Sequence, residues 1–177
     1  MKIAITGHSR GLGAELVKRF TERDCEVLGF SRSNGFDISK TVDRISIIEQ
    51  ASECDVFINN AYWGFAQVDL LNNMFTTWNK RSNKYIINIG SVSSYHQKTR
   101  HHPYAIHKIA LDEQCRQLQP LSTWPAITNI RPGTFESEMG NKIEGKRMKV
   151  QTAADVVLFV FDNRNKFTVR DIVYESV

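Results

Sequence analysis

The sequence predicts an α/β fold: one domain built as a three-layer αβα sandwich around a mostly parallel, doubly wound sheet of about seven strands. Three observations predict it. Short apolar runs alternate with stretches of helical spacing along the whole chain, and such alternation gives a parallel sheet, because right-handed crossovers place helices on both of its faces. The 177 residues suit a single domain with a core of its own. Hydrophobic residues at 41% and charged residues at 24% match ordinary globular usage and exclude a disordered or fibrous chain.

The elements follow in order. Residues 2–6 form an apolar run that stops at glycine, and residues 14–23 place Leu16, Val17 and Phe20 at helical spacing. Residues 27–30 are a second strand, closed by the polar turn at 31–35. In residues 41–49, Val42, Ile45 and Ile48 share one helical face, with Ser39 as the expected cap. Residues 55–59 read as a buried strand, 67–81 as a helix and 85–89 as another β-rich run. Residues 103–118 are a long helix opened by Pro103 in its first turn, with Pro120 and Pro125 beyond its end. A strand at 126–130, a helix at 153–161 and a last short strand at 171–174 complete the alternation, with no repeat or linker dividing it.

Composition narrows the function classes. No stretch approaches the roughly 20 apolar residues that cross a bilayer, and the N-terminus enters a strand without a signal-peptide layout, so a cytoplasmic location is expected. Cys25, Cys54 and Cys115 have neither the count nor the spacing of a disulfide frame or zinc site and are expected to be reduced and buried. The net charge of +4 is modest, and no basic, aromatic-interleaved motif supports nucleic-acid binding. The positive residues are nonetheless clustered. His96, Lys98, Arg100, His101, His102, His107 and Lys108 form one group, and Lys142, Lys146, Arg147 and Lys149 another; together they suggest an anion-attracting rim.

Between the first strand and the first helix stands Thr6-Gly7-His8-Ser9-Arg10-Gly11-Leu12-Gly13. Glycines at this spacing let the backbone turn sharply and approach a pyrophosphate, whose charge is favoured by the free N–H groups of a helix N-terminus. A dinucleotide site follows. The second strand does not end in the acidic residue that grips an NAD ribose. It ends in Ser31-Arg32-Ser33, and Arg32 with Arg10 offers paired guanidinium donors to a 2′-phosphate, so NADP(H) is preferred over NAD(H).

Tyr104 and Lys108 stand at i and i+4 on the long helix. A phenol with an ordinary pKa near 10 is a poor base at neutral pH until a neighbouring ammonium stabilises its phenolate, a charge that Lys108 supplies. Thirteen residues before Tyr104, the run at 85–89 ends in Gly90-Ser91, which puts the Ser91 hydroxyl at the carboxyl edge of a strand, where ligands sit in open α/β sheets. Ser93 and Ser94 compete for that role.

These motifs, in this order, resemble the short-chain dehydrogenase/reductase family, a Rossmann-like fold. The resemblance runs through residues 6–13, Asp37, Asn59-Asn60-Ala61, Asn88-Ile89-Gly90-Ser91, Tyr104 to Lys108, and Pro132-Gly133-Thr134-Phe135-Glu136-Ser137-Glu138-Met139. The last run is similar to that of the oxoacyl-carrier-protein reductase branch. The resemblance implies a hydride transfer between nicotinamide and a carbonyl or alcohol, with Ser91, Tyr104 and Lys108 catalytic. It implies cofactor contacts at Gly7, Ser9, Arg10, Gly11, Leu12 and Gly13, at Ser31 and Arg32, at Asp37 (adenine), at Asn60 and Ala61, at Tyr104 and Lys108, and at Pro132, Gly133, Phe135 and Ser137. It also implies a small-molecule carbonyl or alcohol substrate and a homodimer or homotetramer.

The chain departs from the family's pattern in several places. It is markedly shorter than the usual subunit, and the segment between Asn60 and Ser91 is trimmed where the family carries a proton-passing asparagine; Gln67, Asn72 and Asn73 are the nearest replacements. Tyr62 stands where the family has a glycine, and with Trp63 it either packs against the shortened helix or borders the substrate site. His107 replaces a common serine. The short basic segment at 140–150 corresponds to the substrate lid. These losses motivate an alternative, a dinucleotide-binding sensor of the same fold with little catalysis.

Overall fold

The computed structural model describes residues 1–96, 101–121, 124–137, 140–142 and 145–177. Six strands, β1 (Lys2–Thr6), β2 (Glu26–Phe30), β3 (Val56–Asn59), β4 (Tyr85–Ile89), β5 (Ala126–Pro132) and β6 (Asp171–Tyr174), form one sheet in the order β2-β1-β3-β4-β5-β6. Every pairing is parallel. Five helices connect them: α1 (Gly11–Thr21), α2 (Thr41–Ala51), α3 (Ala66–Trp78), α4 (Pro103–Leu118) and α5 (Val150–Asn163).

The sheet has six strands, not about seven. The six are the apolar runs of the sequence, and the shortfall lies beyond β2, which forms an edge. After β2 the chain has one polar turn and one helix, α2, before it enters β3 on the far side of β1. No further β-rich run lies in that interval to make another strand. Ser39 does not cap α2. The N-cap position is Lys40, without a side-chain bond, while Ser39 donates its backbone N–H to the Asp37 carboxylate.

Strand alternation divides the core into two apolar layers. Ile3 and Ile5, Val56 and Ile58, and Ile87 and Ile89 face α1 and α5. Ala4, Phe57 and Ile86 face α2, α3 and α4, where Leu70, Leu71, Met74 and Trp78 are buried. The fully buried Trp78 donates its indole N–H to the Ser52 carbonyl at 2.8 Å, so the largest core side chain also has its polar atom satisfied. Among the described residues, no helix is long and apolar enough to cross a membrane.

Because β2 lies on one side of β1 and β3 on the other, the strand order reverses at β1. The crevice at the carboxyl ends of β1 and β3 is therefore the binding position of such a sheet.

Candidate active site

One cleft runs along these carboxyl ends. It is lined by all the residues expected to contact cofactor except Gly13, and by Ser91, Tyr104 and Lys108.

The glycine loop forms its first wall. Gly7, with φ of +72°, adopts the left-handed conformation, and a Cβ there would lie 2.9 Å from the Asn60 amide nitrogen. Gly13 lies beneath the loop: a Cβ would sit 2.0 Å from the Gly7 carbonyl oxygen, so α1 starts this close to the turn only as glycine. Thr6 fastens the wall from behind, its hydroxyl accepting from the backbone N–H groups of Asn60 and Ala61 at 2.9 and 3.0 Å. Asn60 in turn donates its amide to the Thr6 carbonyl at 2.9 Å. Thr6 belongs to the fingerprint, but its partners are more than fifty residues away, which sequence spacing does not reveal.

The second wall is the turn after β2. Ser31 donates its backbone N–H to Asn34 at 2.9 Å, its hydroxyl lies 2.7 Å from that of Ser33, and Asn34 donates to the Gly29 carbonyl. Arg32 and Arg10 both border the cleft. The Asp37 carboxyl is held below its usual range, first by hydrogen bonds from Ser39 and then by the charges of Arg32 and Lys40. The far wall follows β5: Gly133 donates its N–H to the Tyr174 carbonyl at 2.7 Å, Glu136 and Met148 pair by a 3.0 Å backbone bond, and the Ser137 hydroxyl accepts from Gly140 N–H at 2.9 Å. Glu138 and Met139 lie outside the described residues.

Between these walls stand the three candidate catalytic residues. Ser91 follows β4 and is buried, and its hydroxyl accepts from Ser93 N–H at 3.1 Å. Ser94 turns away, bonding the Asp112 carboxylate outside the cleft, which leaves Ser91 and Ser93 on it. Burial pushes the Tyr104 phenol up, the Ser91 hydroxyl acts against this as a hydrogen-bond partner, and Tyr62 adds to the rise. Lys108 is 3% exposed and donates to the Gln67 side-chain oxygen and to the Ile89 carbonyl, each at 2.7 Å. Desolvation lowers it to about 7, against the opposing charge of Asp112.

That pair corrects the expectation of an ammonium lowering the Tyr104 pKa. The cost of burying Lys108 removes much of its charge near neutral pH, and burial of the phenol moves Tyr104 upward.

The structure also separates the three amides. Gln67 faces inward from the first turn of α3, giving its N–H₂ to the carbonyls of Asn59 and Ile89 and its oxygen to Lys108. Asn72 instead accepts from Gln114 at 2.6 Å, and Asn73 is exposed. Behind Gln67 the buried Asn59 amide bonds the Gln67 carbonyl and Asn88, so a polar strut ties β3, β4 and α3 beneath Lys108.

Tyr62 and His107, neither of which the sequence assigns to a single role, meet 2.9 Å apart beside Tyr104. Trp63 borders the cleft with 61% of its surface exposed. The rim is mixed in charge. Lys146 reaches it, but so does Glu175, which bonds His96 at 2.9 Å. His102 is engaged in capping α4, its Nδ1 accepting from Ala105 N–H. Lys98 and Arg100 lie outside the described residues, and His101, Arg147 and Lys149 are exposed without lining the cleft.

No protein-family model matches the chain, and no curated protein sequence matches it. Solved structures do match. A short-chain dehydrogenase from Burkholderia cenocepacia in complex with NADP superposes with a TM-score of 0.82 at 18% identity, over 97% of this chain and 86% of that one. A mutant 4-hydroxyisoleucine dehydrogenase complexed with NADH and succinate gives 0.85 at 17% identity, over 99% and 97%. A 3-ketoacyl-(acyl-carrier-protein) reductase from Brucella melitensis complexed with NADH gives 0.80 at 17% identity, over 98% and 96%. The chain has the fold of these short-chain dehydrogenases.

Proposed function

We propose that this chain, with the fold of the short-chain dehydrogenases, is an oxidoreductase of that family that uses NADP(H) to interconvert a carbonyl compound and an alcohol, with Tyr104 as general acid and base. The observation that carries the reading is the convergence of Ser91, Tyr104 and Lys108 on the cleft that the glycine loop also lines.

The fit to a dinucleotide rests on the loop itself. A Cβ at Gly7 would collide with Asn60 and Ala61 and one at Gly13 with the Gly7 carbonyl, so glycine at both positions keeps the loop tight over the start of α1, and that helix N-terminus favours a pyrophosphate. Arg32, Arg10 and Ser31 would take the 2′-phosphate that distinguishes NADP(H), Asp37 the adenine, Asn60 and Ala61 the adenosine side, and residues 132–137 the nicotinamide end. When bound, the nicotinamide gives a hydride to the carbonyl carbon or takes it back from the alcohol.

Ser91 donates its hydroxyl to the substrate oxygen, and Tyr104 transfers its proton to that oxygen as charge develops there. A phenol pushed upward by burial keeps its proton at neutral pH, which suits the direction of carbonyl reduction. Lys108, held by Gln67 and Ile89, fixes the floor beneath Tyr104. Glu175 on the rim offsets Lys146, so the two together give a strongly anionic substrate little net attraction. The three cysteines are free, Cys54 and Cys115 buried and Cys25, against expectation, only partly so; free thiols fit a reducing cytoplasm. Self-association is included, through the outer face of α4 where Ile106 and Ile109 are about half exposed; light scattering tests it.

The trimmed stretch between Asn60 and Ser91, where a glutamine and not an asparagine meets Lys108, favours a second reading, a dinucleotide-binding sensor with little turnover. A panel of aldehydes and ketones, followed through nicotinamide absorbance with NADPH and with NADH, separates the two. Oxidation of NADPH supports the enzyme, whereas saturable NADPH binding without oxidation of it by any member supports the sensor.

A further inference from the structure

Tyr62 lies in the connection between β3 and α3, and its ring meets the Tyr104 ring edge to face, with centroids 4.7 Å apart and planes at 72°. Its hydroxyl is 2.9 Å from Nδ1 of His107. His107 is itself braced by the Phe65 ring, edge-on at 4.5 Å. Tyr104, His107 and Lys108 stand at i, i+3 and i+4 of α4, so one residue from the facing loop reaches all three.

Lys108 is enclosed by that arrangement. Its Nζ lies 5.5 Å from the centroids of both the Tyr62 and the Tyr104 rings, while the Gln67 oxygen and the Ile89 carbonyl take two of its donors. The titratable groups facing the amine are Asp112 and Cys115 on α4 itself, Tyr104 on the same helix and Tyr62 from the loop. Helix α3 presents the uncharged Gln67 amide, and β4 the Ile89 carbonyl.

We infer that Tyr62 is a positioning residue for the acid–base pair: tethered by His107, its ring holds the Tyr104 ring in place and closes the Lys108 amine off from water. The inference rests on the proposed roles of Tyr104 and Lys108. Burial pushes the Tyr62 phenol up, so it keeps its proton and donates it to Nδ1 of a neutral His107. When the imidazole is protonated, Nδ1–H donates to the phenol oxygen instead. The tether persists in both states with its direction reversed. A glycine at position 62 would supply neither ring nor tether.

The test is an NMR titration of the full chain without ligand. With 13Cε-lysine labelling, the Lys108 signal, assigned by its loss in Lys108→Met, should titrate near the value of about 7 that its burial gives. In Tyr62→Ala, water reaches the amine and the midpoint should rise by about one pH unit or more. Tyr62→Phe and His107→Gln keep the ring, so each should move it by less than about half as much. With 13Cζ-tyrosine labelling of the otherwise unchanged protein, the Tyr62 signal should shift in His107→Gln, because the hydroxyl loses its 2.9 Å partner. This second readout stands even where Tyr62→Ala does not fold. A Lys108 midpoint unmoved in folded Tyr62→Ala, or a Tyr62 signal indifferent to His107, overturns the inference. The carbonyl panel reports separately on the function: shifted midpoints without turnover would uphold the enclosure and remove the enzymatic reading, and turnover with unmoved midpoints would do the reverse.

Discussion

The side-chain oxygen of Gln67 accepts a hydrogen bond from the Lys108 amine at 2.7 Å, joining α3 to α4 where both residues are at most 3% exposed. Gln67→Leu removes that acceptor and strands a buried donor, which costs about 1–3 kcal/mol. Chemical denaturation should show the loss. Asn72→Leu, which breaks a part-buried amide pair with Gln114 and leaves Lys108 untouched, should cost about 1 kcal/mol or less and preserve any turnover.

Lys108 makes stability depend on pH with a definite sign. Its folded value is depressed from the ordinary 10.5 to about 7 by desolvation. Below about 7 both folded and unfolded chains hold the proton, and the fold bears the full cost of the buried ammonium. Between these values the unfolded chain alone holds it, so stability rises with pH. From pH 7 to pH 9 the unmodified protein should gain roughly 2 kcal/mol relative to Lys108→Met. Parallel pH profiles of the two proteins in urea denaturation would refute the burial of a titrating amine.

Arg32 tests the cofactor preference. It sits in the turn after β2, on the cleft and close enough to lower the Asp37 carboxyl. Loss of one charge-assisted contact to a 2′-phosphate is worth about 1.5–3 kcal/mol, so Arg32→Ala should weaken NADPH binding roughly 10- to 100-fold and leave NADH binding nearly unchanged. Fluorescence titration with each dinucleotide measures both.

Much of this was legible in the residues. All six strands coincide, to within two residues at either end, with apolar runs; the inner strands β1, β3, β4 and β5, buried on both faces, read as near-continuous apolar stretches. The helix α4 begins at Pro103 and ends at Leu118 as its proline and spacing indicate. The glycine loop was readable because the close approach of Gly13 to Gly7 admits no side chain. The expected extra strand failed because the chain offers six apolar runs of strand length, and the polar turn after β2 leads straight into α2. Gln67 was one of three candidate amides, and only the phase of α3 against the sheet turns it toward Lys108 while Asn72 meets Gln114. Tyr62 and His107 are 45 positions apart, and no local pattern brings a loop phenol onto a helix. The upward shift of Tyr104 was equally hidden, since it depends on how much protein surrounds the phenol and how far desolvation discharges Lys108.

The most direct measurement compares the unmodified protein with Tyr104→Phe in NADPH-dependent reduction of the best carbonyl from the panel. Removing one phenolic oxygen leaves the ring in its contact with Tyr62 and the glycine loop intact. The account predicts that NADPH affinity stays within about twofold while kcat falls by about 100-fold or more, the scale of a lost general acid. Turnover by Tyr104→Phe at a rate close to that of the unmodified protein would contradict it.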